Sequence, residues 1–134
     1  MASGDRTGRQ ARGVTAAWAR RLLLDLAGVE EGQHYGFPSF MVAGRFLARF
    51  RDDDEVLVIR LGSIADREVL MHLDPGSFFY TDHYRDYPAV LVRLAKVRRG
   101  HLAQVLEEAR AHAASAGPVK RRTVRRARSR GPRR

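Results

Sequence analysis

The chain has 134 residues, 44% of them hydrophobic, and no cysteine. That bounds it to one domain with a single two-layer core and excludes disulfide frameworks and thiolate chemistry. The formal charge is +10, unevenly spread: residues 117–134 hold nine Lys/Arg and no acid, residues 1–13 three Arg and one Asp, and residues 14–116 are near neutral, with 13 basic against 14 acidic residues.

The expected layout is therefore a flexible N-terminus over 1–13, an α+β domain over 14–116 and a basic disordered tail over 117–134. The polar start MASGDRTGRQARG lacks the apolar core of a secretory signal. No apolar run is long enough to span a bilayer. A cytoplasmic protein without a membrane partner is expected.

In residues 14–27, Val14, Trp18, Leu22 and Leu26 recur four apart, with Arg20, Arg21 and Asp25 off that stripe. This spacing predicts an amphipathic helix, stopped at Gly28. VEEGQHYGFPS, 29–39, reads as a loop. Strands are predicted over 40–43, over 46–51 after a turn at Gly44-Arg45, and over 56–61 after the DDDE turn. Alternation turns Phe46, Ala48, Phe50, Leu57, Ile59 and Leu61 toward the helices. Ser63-Ile64-Ala65-Asp66 resembles a capping box with Asp for the usual Glu. It opens a helix to about Leu73, stopped by Asp74-Pro75-Gly76. A short strand over 77–80, the polar loop TDHYRDYP and a long strand over 89–97 follow. A last helix, about Gly100 to Ala113, carries Leu102, Val105, Leu106 and Ala109 on one face.

The order α-β-β-β-α-β-β-α with short connections predicts an α+β two-layer sandwich. Its antiparallel sheet of about five strands has helices on one face and is at least partly open on the other. The open face should carry Arg49, Arg51, Arg60 and Arg93, with Arg45 at a nearby turn, while the acids Glu30, Glu31 and Asp52 to Glu55 fall in loops. Guanidinium forks converging on one surface suit phosphate oxygens. Solvated strand positions whose stems cover apolar neighbours are the other reading.

The cluster TDHYRDYP admits two readings as well. His83 with Asp82 or Asp86 could orient an imidazole as a general base. Alternatively, Tyr84 and Tyr87 bury their rings and Pro88 sets the start of a strand. The five histidines, His34, His72, His83, His101 and His112, form no H-x-x-x-H pair, and no glycine loop opens a helix in a phosphate-binding pattern. No metal and no cofactor are expected.

The stretches GVEEGQHYGFPSFMVAGRFLARF (28–50) and FFYTDHYRDYPAVLVRL (78–94) resemble the MmcQ/YjbR family. The shared features are the Gly-Val-Glu-Glu-Gly start, the Tyr-Gly-x-Pro-x-Phe segment, a small-residue turn before Phe46 and the Tyr-Pro-x-Val-Leu-Val-Arg-Leu strand. The chain departs from that pattern with Arg45 where Lys is common and Ala27 where Pro often precedes Gly-Val. The resemblance implies a frataxin-like (CyaY-like) α+β fold. It also implies DNA binding, through likeness to a phage transcription-factor domain that lays its open sheet on duplex DNA. It brings no catalytic residues.

In the tail, Lys120, Arg121, Arg122, Arg125, Arg126, Arg128 and Arg130 are suited to phosphates by counterion release. No aromatic residue accompanies them to stack on bases. The expected function is nucleic-acid binding, to double-stranded DNA or else RNA. Arg45, Arg49, Arg51, Arg60 and Arg93 would dock it, with Tyr84 and Arg85 at the rim. An interaction or small-ligand module for an acidic partner is the second expectation, and an enzyme using His83 and Asp86 the residual one.

Overall fold

The structure, a computed structural model, describes residues 12–115. Its elements are α1 Ala16–Asp25, β1 Val29–His34, β2 Phe37–Val42, β3 Arg45–Arg51, β4 Val56–Arg60, α2 Ile64–Leu73, β5 Phe78–Phe79, β6 Ala89–Arg93 and α3 Arg99–Ser115, with a single 3-10 turn at Asp82–Tyr84. The strands form one open, wholly antiparallel sheet in the order β1-β2-β3-β4-β6-β5. The fold is α+β, as the element order predicts.

The main core lies between one sheet face and the helices. Leu57 and Ile59 of β4 and Val90 and Val92 of β6 meet Ala19 and Leu23 of α1, Leu70 of α2, and Leu102 and Leu106 of α3. Helix starts are set by side-chain caps: Thr15 Oγ1 accepts from the Trp18 N–H at 3.0 Å, and Ser63 Oγ from the Asp66 N–H at 3.1 Å. The stripe Val14, Trp18, Leu22, Leu26 is only partly buried. The fully buried positions of α1 are Ala19 and Leu23, one residue further round.

Three sequence expectations need correction. Residues 29–39 are not a loop but β1 and the start of β2, so the sheet has six strands. Tyr35 and Gly36, at φ 54° and 82°, make a two-residue hairpin loop with both positions left-handed, whose twist suits antiparallel strands. Of β1 only Val29 is fully buried, because an edge strand needs no apolar run, and so the alternation gave no signal.

Second, Phe46 does not face the helices. Phe40 pairs with Ala48 and Met41 with Phe46, so Leu47 is an extra residue in β3. This bulge reverses the side-chain alternation: Leu47 joins the helix-side core and Phe46 goes to the opposite face. Third, β6 ends at Arg93, since the Lys96 and Val97 N–H groups turn back onto the Arg93 carbonyl at 3.0 and 3.2 Å. Leu94 and Val97 remain in the core, which is why the run reads as one long strand.

Arg67 of α2 is 2% exposed, and among the described residues no carboxylate pairs with it. Its Nη1 donates to the carbonyls of Tyr84 at 2.8 Å, Tyr87 at 3.0 Å and Ala89 at 3.3 Å, and its Nη2 to that of Arg85 at 2.8 Å. The guanidinium also lies 3.9 Å from the centre of the Tyr80 ring. Carbonyl dipoles and a π face replace the counter-ion that a buried cation ordinarily needs. With the backbone bonds from Tyr84 N to Thr81 O, Arg85 N to Asp82 O and Leu61 N to Pro88 O, this side chain fixes the 81–88 corner. Arg67→Met should leave those carbonyls unsatisfied and lower unfolding stability by at least about 3 kcal/mol, measured by urea denaturation; Arg67→Lys, lacking the planar fork, should restore less than half of the loss.

Candidate functional site

Residues paired across an antiparallel sheet share a face, so the register assigns the surface opposite the helices. Its floor is a second apolar cluster, Phe46, Val56, Val58, Tyr84, Ala89 and Leu91, flanked by Met41, Phe79 and Tyr80. Arg49 pairs with Val58, Arg51 with Val56, Arg93 with Val56 from the other side, and Arg60 with Ala89. The four strand arginines therefore share this face, as expected. Glu30 pairs with Met41 and also belongs to it, at the outer edge in β1. It is not in a loop, because β1 is a strand.

The arginines are half-buried and lie mostly on rings. Arg49 sits 4.6 Å from the Phe37 ring centre, with Nη2 3.5 Å from Tyr84 Oη. Arg60 is 5.4 Å from the Tyr87 ring and Arg93 4.0 Å from the Phe79 ring. Among these four only Arg51 meets a carboxylate, Asp52 at 3.3 Å. Such stacking holds a guanidinium in place without neutralising it.

Arg45 lies at the border of this face, on the helix side of β3. It shares a small cavity with Arg60, Ala109, His112 and Ala113, beside the C-terminal part of α3. It pairs with Val42 of the helix-side core, because the bulge shifts the parity of β3 before Leu47. Arg85 is exposed and bound to Asp82 at 2.5 Å. Tyr84 is not a rim residue: it is 8% exposed and lies in the floor of the face, while Tyr87 remains 37% exposed. With Asp82 engaged by Arg85, His83 packs edge-on against Tyr84, ring centres 4.7 Å apart. Among the described residues no three His, Asp or Glu side chains are placed to share a metal ion. The tail cations Lys120, Arg121, Arg122, Arg125, Arg126, Arg128 and Arg130 lie outside the described residues.

At one end of the face a cleft of about 420 Å³ opens between the β1–β2 hairpin tip and the 82–87 corner. His34, stacked on Phe46 at 4.6 Å between ring centres, forms one side. His83, Tyr84 and Tyr87 form the other, with Tyr35, Phe37 and Arg49 at the mouth. The sequence places these residues in segments about fifty positions apart, and nothing in the local pattern of either joins them. Only the Tyr-Gly-Phe of the hairpin tip, a two-residue turn flanked by rings, carried a usable signal.

His34 titrates below the ordinary histidine range. Partial burial is the main cause, and the positive charges of Arg49 and Arg60 add to it. The positive charge on this side of the sheet thus adds to burial in disfavouring a proton on His34.

The chain matches none of the protein-family profiles, and no solved structure matches it. Over 55 residues it is 34% identical to uncharacterized proteins of Mycobacterium bovis (strain ATCC BAA-935 / AF2122/97) and of Mycobacterium tuberculosis (strains CDC 1551 / Oshkosh and ATCC 25618 / H37Rv). The match covers 41% of this chain and 43% of each relative, so the chain spans less than half the length of these curated relatives.

A folded-state pKa below the unfolded one means that His34 supports folding while neutral. That contribution is present above about pH 6.5 and is lost as pH falls through the lowered folded value. Replacing Arg49 with Gln removes one of the two opposing charges. It should move the His34 imidazole titration upward toward the ordinary range, as followed by the ring proton shifts in NMR.

Proposed function

We propose that this protein binds nucleic acid, docking backbone phosphates on the arginines of the sheet face. The observation that carries the reading is the convergence of Arg49, Arg60 and Arg93 from three strands, each laid against an aromatic ring and none bound to a carboxylate among the described residues. A guanidinium held over a ring keeps its charge and has N–H groups left for an incoming phosphate. The resemblance to MmcQ/YjbR proteins and the nine cations of 117–134 point to the same class of ligand. Phosphate contacts position a strand but carry no base information. Duplex DNA, the form expected from the sequence, is therefore the first ligand to test.

The test is the salt dependence of binding by the full chain to a labelled duplex, followed by fluorescence anisotropy. Engagement of about five phosphates gives a log–log slope near −4 to −5. Joint replacement of Arg49, Arg60 and Arg93 by Gln should make that slope shallower by about 2 to 3. An unchanged slope and affinity would remove the sheet face from the interaction and leave the basic tail as the binding element. Failure of the full chain to bind at low salt would end the nucleic-acid reading.

A further inference from the structure

We propose that the cleft between the hairpin tip and the 82–87 corner holds one unpaired nucleobase of a bound strand, with the adjoining phosphate on Arg49 and Arg60. This rests on the nucleic-acid reading above and adds which part of the strand is gripped, and where.

The volume, about 420 Å³, lies in the range of small-molecule sites, roughly 300–1,000 Å³. The walls are rings on both sides. Phe46 and Tyr84 close the base of the cleft as part of the apolar floor, with His34 stacked on Phe46 at one side and Tyr87 at the other. A planar group can slide between such walls and be held by stacking. Arg49 lines the cleft and lies on Phe37, while Arg60 lies behind it on the lining ring of Tyr87, and among the described residues no carboxylate lines it. A planar group with a negative charge attached at its edge matches this arrangement. A nucleotide is such a group.

Tyr35 carries the argument furthest. It occupies a left-handed position, φ 54°, that a bulky residue adopts at a cost. The residue is 88% exposed, and neighbouring Phe37 is 52% exposed. Large rings held out at a two-residue turn contribute little to the core. They are placed to close over something that enters the cleft. A paired base in a duplex has both faces covered by its neighbours and cannot enter, whereas a base in a single strand, loop or bulge can. The cleft therefore selects strands with an unpaired base over uniform duplex.

The experiment compares binding of a labelled thymidine oligonucleotide and of a labelled duplex of equal length to the full chain and to Tyr35→Ala, Phe37→Ala and Tyr35→Trp. Both alanine variants should weaken single-strand binding by about 5- to 150-fold, with duplex affinity unchanged and Tyr35→Trp close to the original chain. Equal losses on both ligands, or no loss on the single strand, overturn the cleft assignment. If the arginine replacements still weaken binding in that case, the sheet-face reading stands without the cleft. If neither ligand binds the full chain, both readings fall together. Free thymidine monophosphate serves as competitor: displacement of the oligonucleotide at submillimolar concentration would reassign the cleft to a free nucleotide and overturn the strand assignment.

Discussion

A guanidinium buried without a carboxylate partner organises this molecule. Arg67 reaches from α2 to four carbonyls of the 84–89 segment and presses on the Tyr80 ring. Its Nε has no hydrogen-bond partner among the described residues, so the group is held by its fork and by the ring alone. A loop of polar residues ordinarily stays on the surface and moves. Here its carbonyls have a fixed donor. Tyr84 is thereby brought over Phe46, Val58 and Leu91, and the outer sheet face becomes a shallow second core.

That second core explains the state of the surface arginines. On a bare sheet, Arg49, Arg60 and Arg93 would extend into water. With Phe37, Tyr87 and Phe79 beside them they lie over rings, each cation–π contact contributing roughly 0.5–1 kcal/mol. They keep their charge beside those rings, and the charges of Arg49 and Arg60 add to the burial that lowers the His34 titration. The arrangement suits a ligand that brings its own anions and its own rings.

The bulge in β3 is the second structural determinant. One extra residue, Leu47, sends Phe46 to the outer face and Arg45 toward α3. Without it Phe46 would sit in the main core, His34 would lose its stacking partner, and the cleft would lose a wall. The five strand-borne and turn arginines thus divide: four go to the outer face through regular alternation, and one is diverted by a single-residue irregularity.

The amino-acid sequence by itself determined the fold class, the helix cap at Ser63, the buried rows of β4, β6 and α3, and the shared face of Arg49, Arg51, Arg60 and Arg93. All of these follow from periodicity and local hydrogen bonding, which reach only a few residues along the chain. The tertiary structure alone decided the rest. The edge strand β1 forms because its backbone pairs with β2, and pairing leaves little trace in a sequence that need not be buried. The β3 bulge depends on how β2 lies beside it. Arg67 reads as one more surface charge on a helix until the 84–89 carbonyls close around it. The cleft joins a hairpin tip to a corner some fifty residues away, and such proximity is set by sheet order and the Arg67 bolt, not by spacing along the chain.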